Sequence, residues 1–88
     1  MRTDILKSVK GGYTKTSVLT KIDALNALRF MAEDGKVAPD KIRAELDRVS
    51  AIELVHEKAG FFGRYGFDTE DTDAYIAKLE AEIEEKLR

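Results

Sequence analysis

The first regular pattern in the chain is an apolar stripe with helical spacing over residues 16–33. Val18, Ile22 and Leu25 share one face of such a helix, and we expect that face to be buried. Gly35 comes shortly afterwards and suits the left-handed conformation in which many helices end. The pattern therefore predicts a long amphipathic helix that ends before Gly35.

A second, shorter helix is predicted from Pro39 to about Ser50. Proline fits the first helical turn, because its missing N–H would have no intrahelical partner there. Residues 51–58 are ambiguous: they alternate between apolar and polar, which is compatible with a short strand. Residues 5–9 are a candidate partner for that strand, although nothing in the sequence fixes the pairing.

A third helix is predicted from Asp68 to the end of the chain. Its apolar positions are four, three and four residues apart, which is the spacing of a coiled-coil seam. A helix of this length is marginal alone in water and needs a partner surface. We therefore expect oligomerisation through the four seam residues, Thr72, Ile76, Leu79 and Ile83.

Two helix starts resemble each other at an offset of 54 residues. Gly12-Tyr13-Thr14 precedes the first helix, and Gly66-Phe67-Asp68 precedes the last. In each, a glycine and an aromatic residue come before a residue whose side-chain oxygen can cap a helix. The first half of the chain therefore contains a weak first copy of the motif found in the second half.

The composition is that of a small ordered domain. The 88 residues contain no cysteine, and 43% of them are hydrophobic. We expect a single, mainly α domain with short extended segments: a helical region over residues 1–58, then a glycine-aromatic loop and a coiled-coil-like helix over residues 59–88.

The lack of cysteine excludes disulfide scaffolds and Cys-ligated metal centres. A net charge of −2 argues against nucleic-acid binding, because counterion release from phosphates needs positive charge.

The residues that could carry chemistry have structural interpretations. His56 has neither a paired Ser or Cys nucleophile nor a second histidine, so packing or simple exposure is its favoured role. Glycines 60, 63 and 66 match neither nucleotide-binding pattern. The acidic residues between 68 and 73 lack the spacing of a calcium loop and suit the positive end of a helix dipole. We therefore expect no enzyme activity, no cofactor and no metal site.

An aromatic loop over residues 60–67 is the most informative feature of the sequence. If exposed, Phe61 and Phe62 would form an apolar patch that attracts a partner. Arg64 could then meet anionic lipid headgroups. The alternative, which we favour, is that the aromatic residues fold back onto the core or a subunit interface, because a small core needs large side chains.

Residues 63–76 resemble the N-terminal motif of the DivIVA-type bacterial cell-division proteins. The matching positions are Gly66, Phe67, Asp68, Asp73, Tyr75 and Ile76. Thr72 stands where that family usually has valine. The resemblance implies a parallel coiled coil with a glycine-aromatic loop at its tip, where Phe61 or Phe62 would insert into curved membrane and Arg64 would contact headgroups.

The expected function is a non-enzymatic, self-associating scaffold module of DivIVA-like type in cell division or polarity, with weak peripheral membrane contact. The expected partners are further copies of the chain and either a protein or an anionic membrane surface. We expect the module in the cytoplasm, including the inner face of the membrane, because the sequence has no signal-peptide pattern and no bilayer-length apolar run. The alternative is a monomeric adaptor whose aromatic loop docks a partner protein.

Overall fold

The computed structural model describes residues 6–61 and 63–88, which form three helices and a two-stranded antiparallel sheet. In chain order the elements are β1 (Ser8–Lys10), α1 (Lys15–Asp34), α2 (Pro39–Ser50), β2 (Tyr65–Phe67) and α3 (Thr69–Lys86). The predicted mainly helical fold is confirmed. Within the described residues, no helix is both long enough and apolar enough to cross a membrane.

The helix ends follow the capping residues that the sequence indicated. At the start of α1, the Thr14 side chain accepts a hydrogen bond from the Ser17 N–H. The Asp68 side chain accepts one from the Asp71 N–H at the start of α3. Gly35 ends α1 with a φ of 76°, in the left-handed region that costs glycine nothing. Pro39 occupies the first turn of α2. The caps thus fix where the two long helices begin.

The two similar helix starts pair with each other. The Tyr13 N–H donates to the Phe67 carbonyl and the Phe67 N–H donates to the Tyr13 carbonyl, both at 2.9 Å. The glycine before each aromatic residue permits this contact. A Cβ on Gly12 would clash with the Phe67 carbonyl, and a Cβ on Gly66 would clash with the Tyr13 carbonyl. The two copies of the motif are therefore related by a local twofold axis.

Helices α1 and α3 run side by side in the same direction from this pairing. Near their far ends, ion pairs of 3.2 Å join Arg29 to Glu82 and Lys86 to Glu33. Between them, residues at the 54-residue offset are buried on both helices: Val18 with Thr72, Ile22 with Ile76, and Leu25 with Leu79. The helix pair is thus a parallel one built within a single chain, and its interface is the centre of the core.

Helix α2 covers one side of this pair. Ile42, Leu46 and Val49 point into the core, as their spacing predicted. The α1 side of the contact includes Lys21, whose Nζ donates to the carbonyls of Ser50 and Ile52 at 3.1 and 2.8 Å. On the α3 side, Arg43 pairs with Glu84 at 2.8 Å and Ser50 donates to Glu80.

The strand pairing differs from the one expected. Residues 51–58 form no regular strand; only His56 joins the sheet region, through an isolated bridge to Tyr13. The partner of β1 is β2, with Ser8 opposite Phe67 and Lys10 opposite Tyr65. The expected partner was wrong because the close approach of Gly12 and Gly66 brings β2 next to the N-terminal segment. Part of the predicted glycine-aromatic loop is therefore a strand.

Candidate functional site

The end of the molecule at which both long helices begin is built from loop and strand residues, and we call it the tip (residues 7–11, 57–61 and 63–65). Backbone hydrogen bonds hold it together. The Gly11 N–H donates to the Arg64 carbonyl at 3.1 Å, and the Arg64 N–H donates to the Lys58 carbonyl at 3.0 Å. These bonds join residues 63–65 to residues 7–11 on one side and to residues 57–61 on the other.

The tip is basic, whereas the rest of the chain is acidic. It contains four basic residues and one acidic residue, Glu57, so its formal charge is +3. Because the whole chain carries −2, the remainder carries −5. The four cationic side chains belong to exposed residues: Lys7, Lys10, Lys58 and Arg64. The molecule therefore has a strong charge asymmetry along its 49 Å length.

The aromatic residues of the loop divide between the core and the surface. Phe67 is buried, as expected of rings that fold back onto the core. Phe61 does not fold back; it is 88% exposed. Tyr65 is 59% exposed, and the Lys10 ammonium lies 6.0 Å from the centre of its ring. Phe62, the other predicted contact residue, lies outside the described residues. The tip therefore combines an exposed phenylalanine with exposed cations.

The four predicted oligomerisation residues lie inside the chain's own core. Thr72, Ile76, Leu79 and Ile83 are at most 5% exposed, at the interface of α3 with α1. An oligomer built on them would require the contact between α1 and α3 to open. The sequence predicted that α3 needs a partner surface, and in this fold α1 of the same chain supplies it.

A polar cluster lies where the two helix starts meet, and sequence reasoning missed it. The Tyr13 hydroxyl donates to both carboxylate oxygens of Asp73, at 3.0 and 3.2 Å. Burial first, and then the hydrogen bond to Asp73, raise the pKa of Tyr13 above its ordinary value. The His56 ring lies 4.8 Å from the Tyr13 ring, with its Nδ1 atom 3.2 Å from the Gly11 carbonyl oxygen.

This polar cluster opens on a shallow cleft of about 430 Å³ that also contains Lys21. The polar side chains around this cleft make contacts within the chain. Tyr13 donates to Asp73, His56 lies against the Gly11 carbonyl, and Lys21 donates to the carbonyl at the end of α2. The only sequence signal was Lys21, a charged residue on the otherwise apolar face of α1. The cluster therefore fixes the packing of the tip on the helices. Across residues 6–61 and 63–88, no three His, Asp or Glu side chains meet in a way that could hold a metal ion.

The residues that carried the family resemblance lie in β2, at the cap of α3 and in its first turns. Phe67 is in the core, Asp68 caps the helix, and Asp73 accepts the Tyr13 hydrogen bond. The resemblance thus falls on residues that position the tip, while Phe61 and Arg64 belong to the tip itself. Comparison with protein-family models, with curated proteins and with solved structures found no match to this chain.

Proposed function

We propose that this chain is a non-enzymatic scaffold module of DivIVA-like type whose tip contacts an anionic membrane surface. The observation that carries the proposal is the 88% exposure of Phe61 at the tip, among the four exposed cations. An exposed aromatic side chain beside basic residues is the arrangement by which peripheral proteins enter the headgroup region.

The expected affinity of a single tip is low. Each Lys or Arg near an anionic leaflet contributes on the order of 1 kcal/mol, and burial of one Phe side chain contributes roughly 2 kcal/mol. Four cations and Phe61 therefore supply on the order of 6 kcal/mol, which corresponds to a dissociation constant of about tens of micromolar. Such contact is reversible at this affinity.

Charge asymmetry gives this contact an orientation. The remainder of the chain carries −5 and is repelled by an anionic surface, whereas the tip carries +3 and is attracted to it. Because the tip lies at the end where α1 and α3 begin, the molecule meets the surface end-on. The far ends of the helices then point away from the membrane.

The proposal is tested by flotation of the protein with vesicles. We expect binding to vesicles of phosphatidylglycerol and phosphatidylcholine at low salt, weaker binding at high salt, and no binding to phosphatidylcholine alone. Phe61→Ser and Arg64→Glu should each reduce the bound fraction. Phe30→Ser is the matched control, because Phe30 is 67% exposed on α1 and lies outside the tip; it should leave flotation unchanged.

Two results would contradict membrane contact. One is the absence of flotation with anionic vesicles at low salt. The other is flotation that the Phe30 variant reduces as much as the Phe61 variant does. Either result would favour the alternative function, a monomeric adaptor whose aromatic loop docks a partner protein.

A further inference from the structure

Phe61 is carried by a short loop whose two limbs are joined by backbone hydrogen bonds. The Arg64 N–H donates to the Lys58 carbonyl at 3.0 Å, and the Gly63 N–H donates to the Gly60 carbonyl at 3.0 Å. Gly60 has a φ of 94°, which lets the chain turn immediately before Phe61. The exposed ring therefore stands on a turn that the backbone itself closes. We call residues 58–61 and 63–64 the closed loop.

The base of the closed loop is fixed to the residue that directly follows β1. The Gly11 N–H donates to the Arg64 carbonyl at 3.1 Å. A Cβ on Gly11 would lie 3.0 Å from the Ala59 Cβ, so the other limb of the loop also lies against this residue. Both limbs are thus held at the end of the sheet.

Gly63 is the residue on which the closure depends. A Cβ on Gly63 would lie 2.6 Å from the Lys58 carbonyl oxygen and 2.9 Å from the Gly60 carbonyl oxygen. These neighbours are backbone atoms, which cannot move aside as the end of a flexible side chain can. The Lys58 oxygen is also the acceptor of the Arg64 N–H. A side chain at position 63 therefore has to open the loop.

We infer that Gly63 is a positioning residue for the membrane contact: by closing the loop, it holds Phe61 in the exposed position from which the ring enters the headgroup region. This inference rests on the proposed function. It adds that the affinity depends on the order of the loop as well as on the side chains that touch lipid. A ring on an ordered backbone loses less conformational entropy when it inserts, and such preorganisation strengthens binding.

The test uses Phe61→Trp as the parent protein, because the chain contains no tryptophan and the new side chain is then a unique fluorophore. Tryptophan suits the membrane interface, so the parent should bind vesicles of phosphatidylglycerol and phosphatidylcholine at low salt with a blue shift of its emission. Gly63→Ala in this parent adds a Cβ and removes no cation and no aromatic ring. We expect it to weaken vesicle binding about tenfold and to reduce the blue shift that remains at saturating lipid.

A matched control separates positioning from a general loss of stability. Gly35 also has a positive φ, but it lies at the other end of α1, and a Cβ on it would have no neighbour within 4 Å. Gly35→Ala therefore strains the backbone without touching the closed loop. It should leave the vesicle affinity and the blue shift unchanged. Circular dichroism should show that both alanine variants keep their helices.

A second variant opens the loop without a steric clash. Two glycines inserted after Ala59 lengthen the loop and keep every side chain of the parent. Surface loops tolerate such insertions, so the helices should remain folded. Because the limbs are no longer held together at the same spacing, this variant should also bind about tenfold more weakly than the parent.

The inference is overturned if the Gly63 variant is folded and binds vesicles with the affinity and blue shift of the parent. It is also overturned if Gly35→Ala weakens binding as much as Gly63→Ala does. If Gly63→Ala unfolds the chain, parent-like binding by the insertion variant overturns it. In each of these results the parent still binds, so the proposed membrane contact stands. Failure of both the parent and the wild-type chain to bind vesicles would contradict the proposed function, and the inference with it.

Discussion

Thr72 is completely buried, and its Oγ1 atom has no hydrogen-bond partner among the described residues. The equivalent residue on α1 is Val18, which has nearly the same shape and no polar atom. A buried hydroxyl without a partner loses its hydrogen bonds to water and gains none in return. At this position the threonine weakens the interface between the two long helices.

Replacement of Thr72 by valine should therefore stabilise the protein. We expect Thr72→Val to raise the free energy of unfolding by about 1 kcal/mol, because it removes the buried hydroxyl and keeps the side-chain shape. Urea denaturation followed by circular dichroism measures the change. Thr20→Val, at an exposed position on α1, is the control and should change stability little. A lower urea midpoint for the Thr72 variant would contradict this, because it would mean that the hydroxyl makes a hydrogen bond that valine cannot make.

The bond between Tyr13 and Asp73 predicts a pH dependence in the alkaline range. Because the fold raises the pKa of Tyr13 above 10.0, the stability linked to this group is complete below that pH and is lost as pH rises through the raised value. Asp73→Asn removes the charge and should lower the pKa of Tyr13. NMR spectra of tyrosine-labelled protein, recorded across the alkaline pH range, would measure the Tyr13 pKa in both proteins. An unchanged Tyr13 titration in the variant would mean that burial alone sets the pKa.

At the scale of elements, the contact that organises the fold is the antiparallel pairing of the two helix starts. It depends on two glycines whose missing side chains let the backbones touch. With caps at Thr14 and Asp68, α1 and α3 both begin next to this contact and run side by side. The tip is therefore held by the same contact that sets the spacing of the helices.

The close approach of the two glycines predicts similar losses of stability when either one is replaced by alanine. Gly12→Ala and Gly66→Ala should each destabilise the fold by more than about 2 kcal/mol, because each new Cβ would strike a carbonyl of the other motif. Thermal unfolding measures the loss. Gly60→Ala is a useful contrast: its φ is 94° but the space around it is open, so it should cost only about 1 kcal/mol. Equal losses at all three positions would contradict the role of the close approach.

The sequence predicted the helices better than the strands or the pairing of the elements. Helix periodicity and local capping residues lie within a few positions of one another, so all three helices were predicted with their ends. The pairing of Tyr13 with Phe67 joins residues 54 positions apart, and its signal was only the repeated glycine-aromatic pair. Lys21 is buried because its amine meets two carbonyls at the end of α2, which no pattern on α1 could show. The seam on α3 indicated a partner helix without saying that the same chain supplies it.

At the scale of the whole molecule, the apolar surface that would drive two chains together is already used inside one. The interface residues of α1 and α3 are almost fully buried within the chain. Among the described residues, the large apolar side chains that stay exposed are Phe30, Val55, Phe61 and Tyr65, and none of them belongs to this interface. We therefore expect association through the helix pair to be intramolecular.

The isolated protein should accordingly have the mass of one chain, 9.9 kDa, over a range of concentrations. Size-exclusion chromatography with light scattering measures this mass.

Leu79→Asp should unfold the chain, because Leu79 is 4% exposed and a charge there has no partner. A stable dimer that this substitution converts to folded monomers would contradict the intramolecular pairing. A conservative variant, Leu79→Ala, should remain folded at a cost of roughly 3 kcal/mol and keep the single-chain mass.

The local twofold has one more consequence, for how the molecule can change. In a dimer of identical chains, every substitution appears on both sides of the axis, so the two halves cannot differ. Here each half has its own sequence, and the halves differ: Glu84 pairs with Arg43 of α2, while its counterpart Phe30 faces solvent. A single mutation can therefore give one half a new contact while the other half keeps the old one.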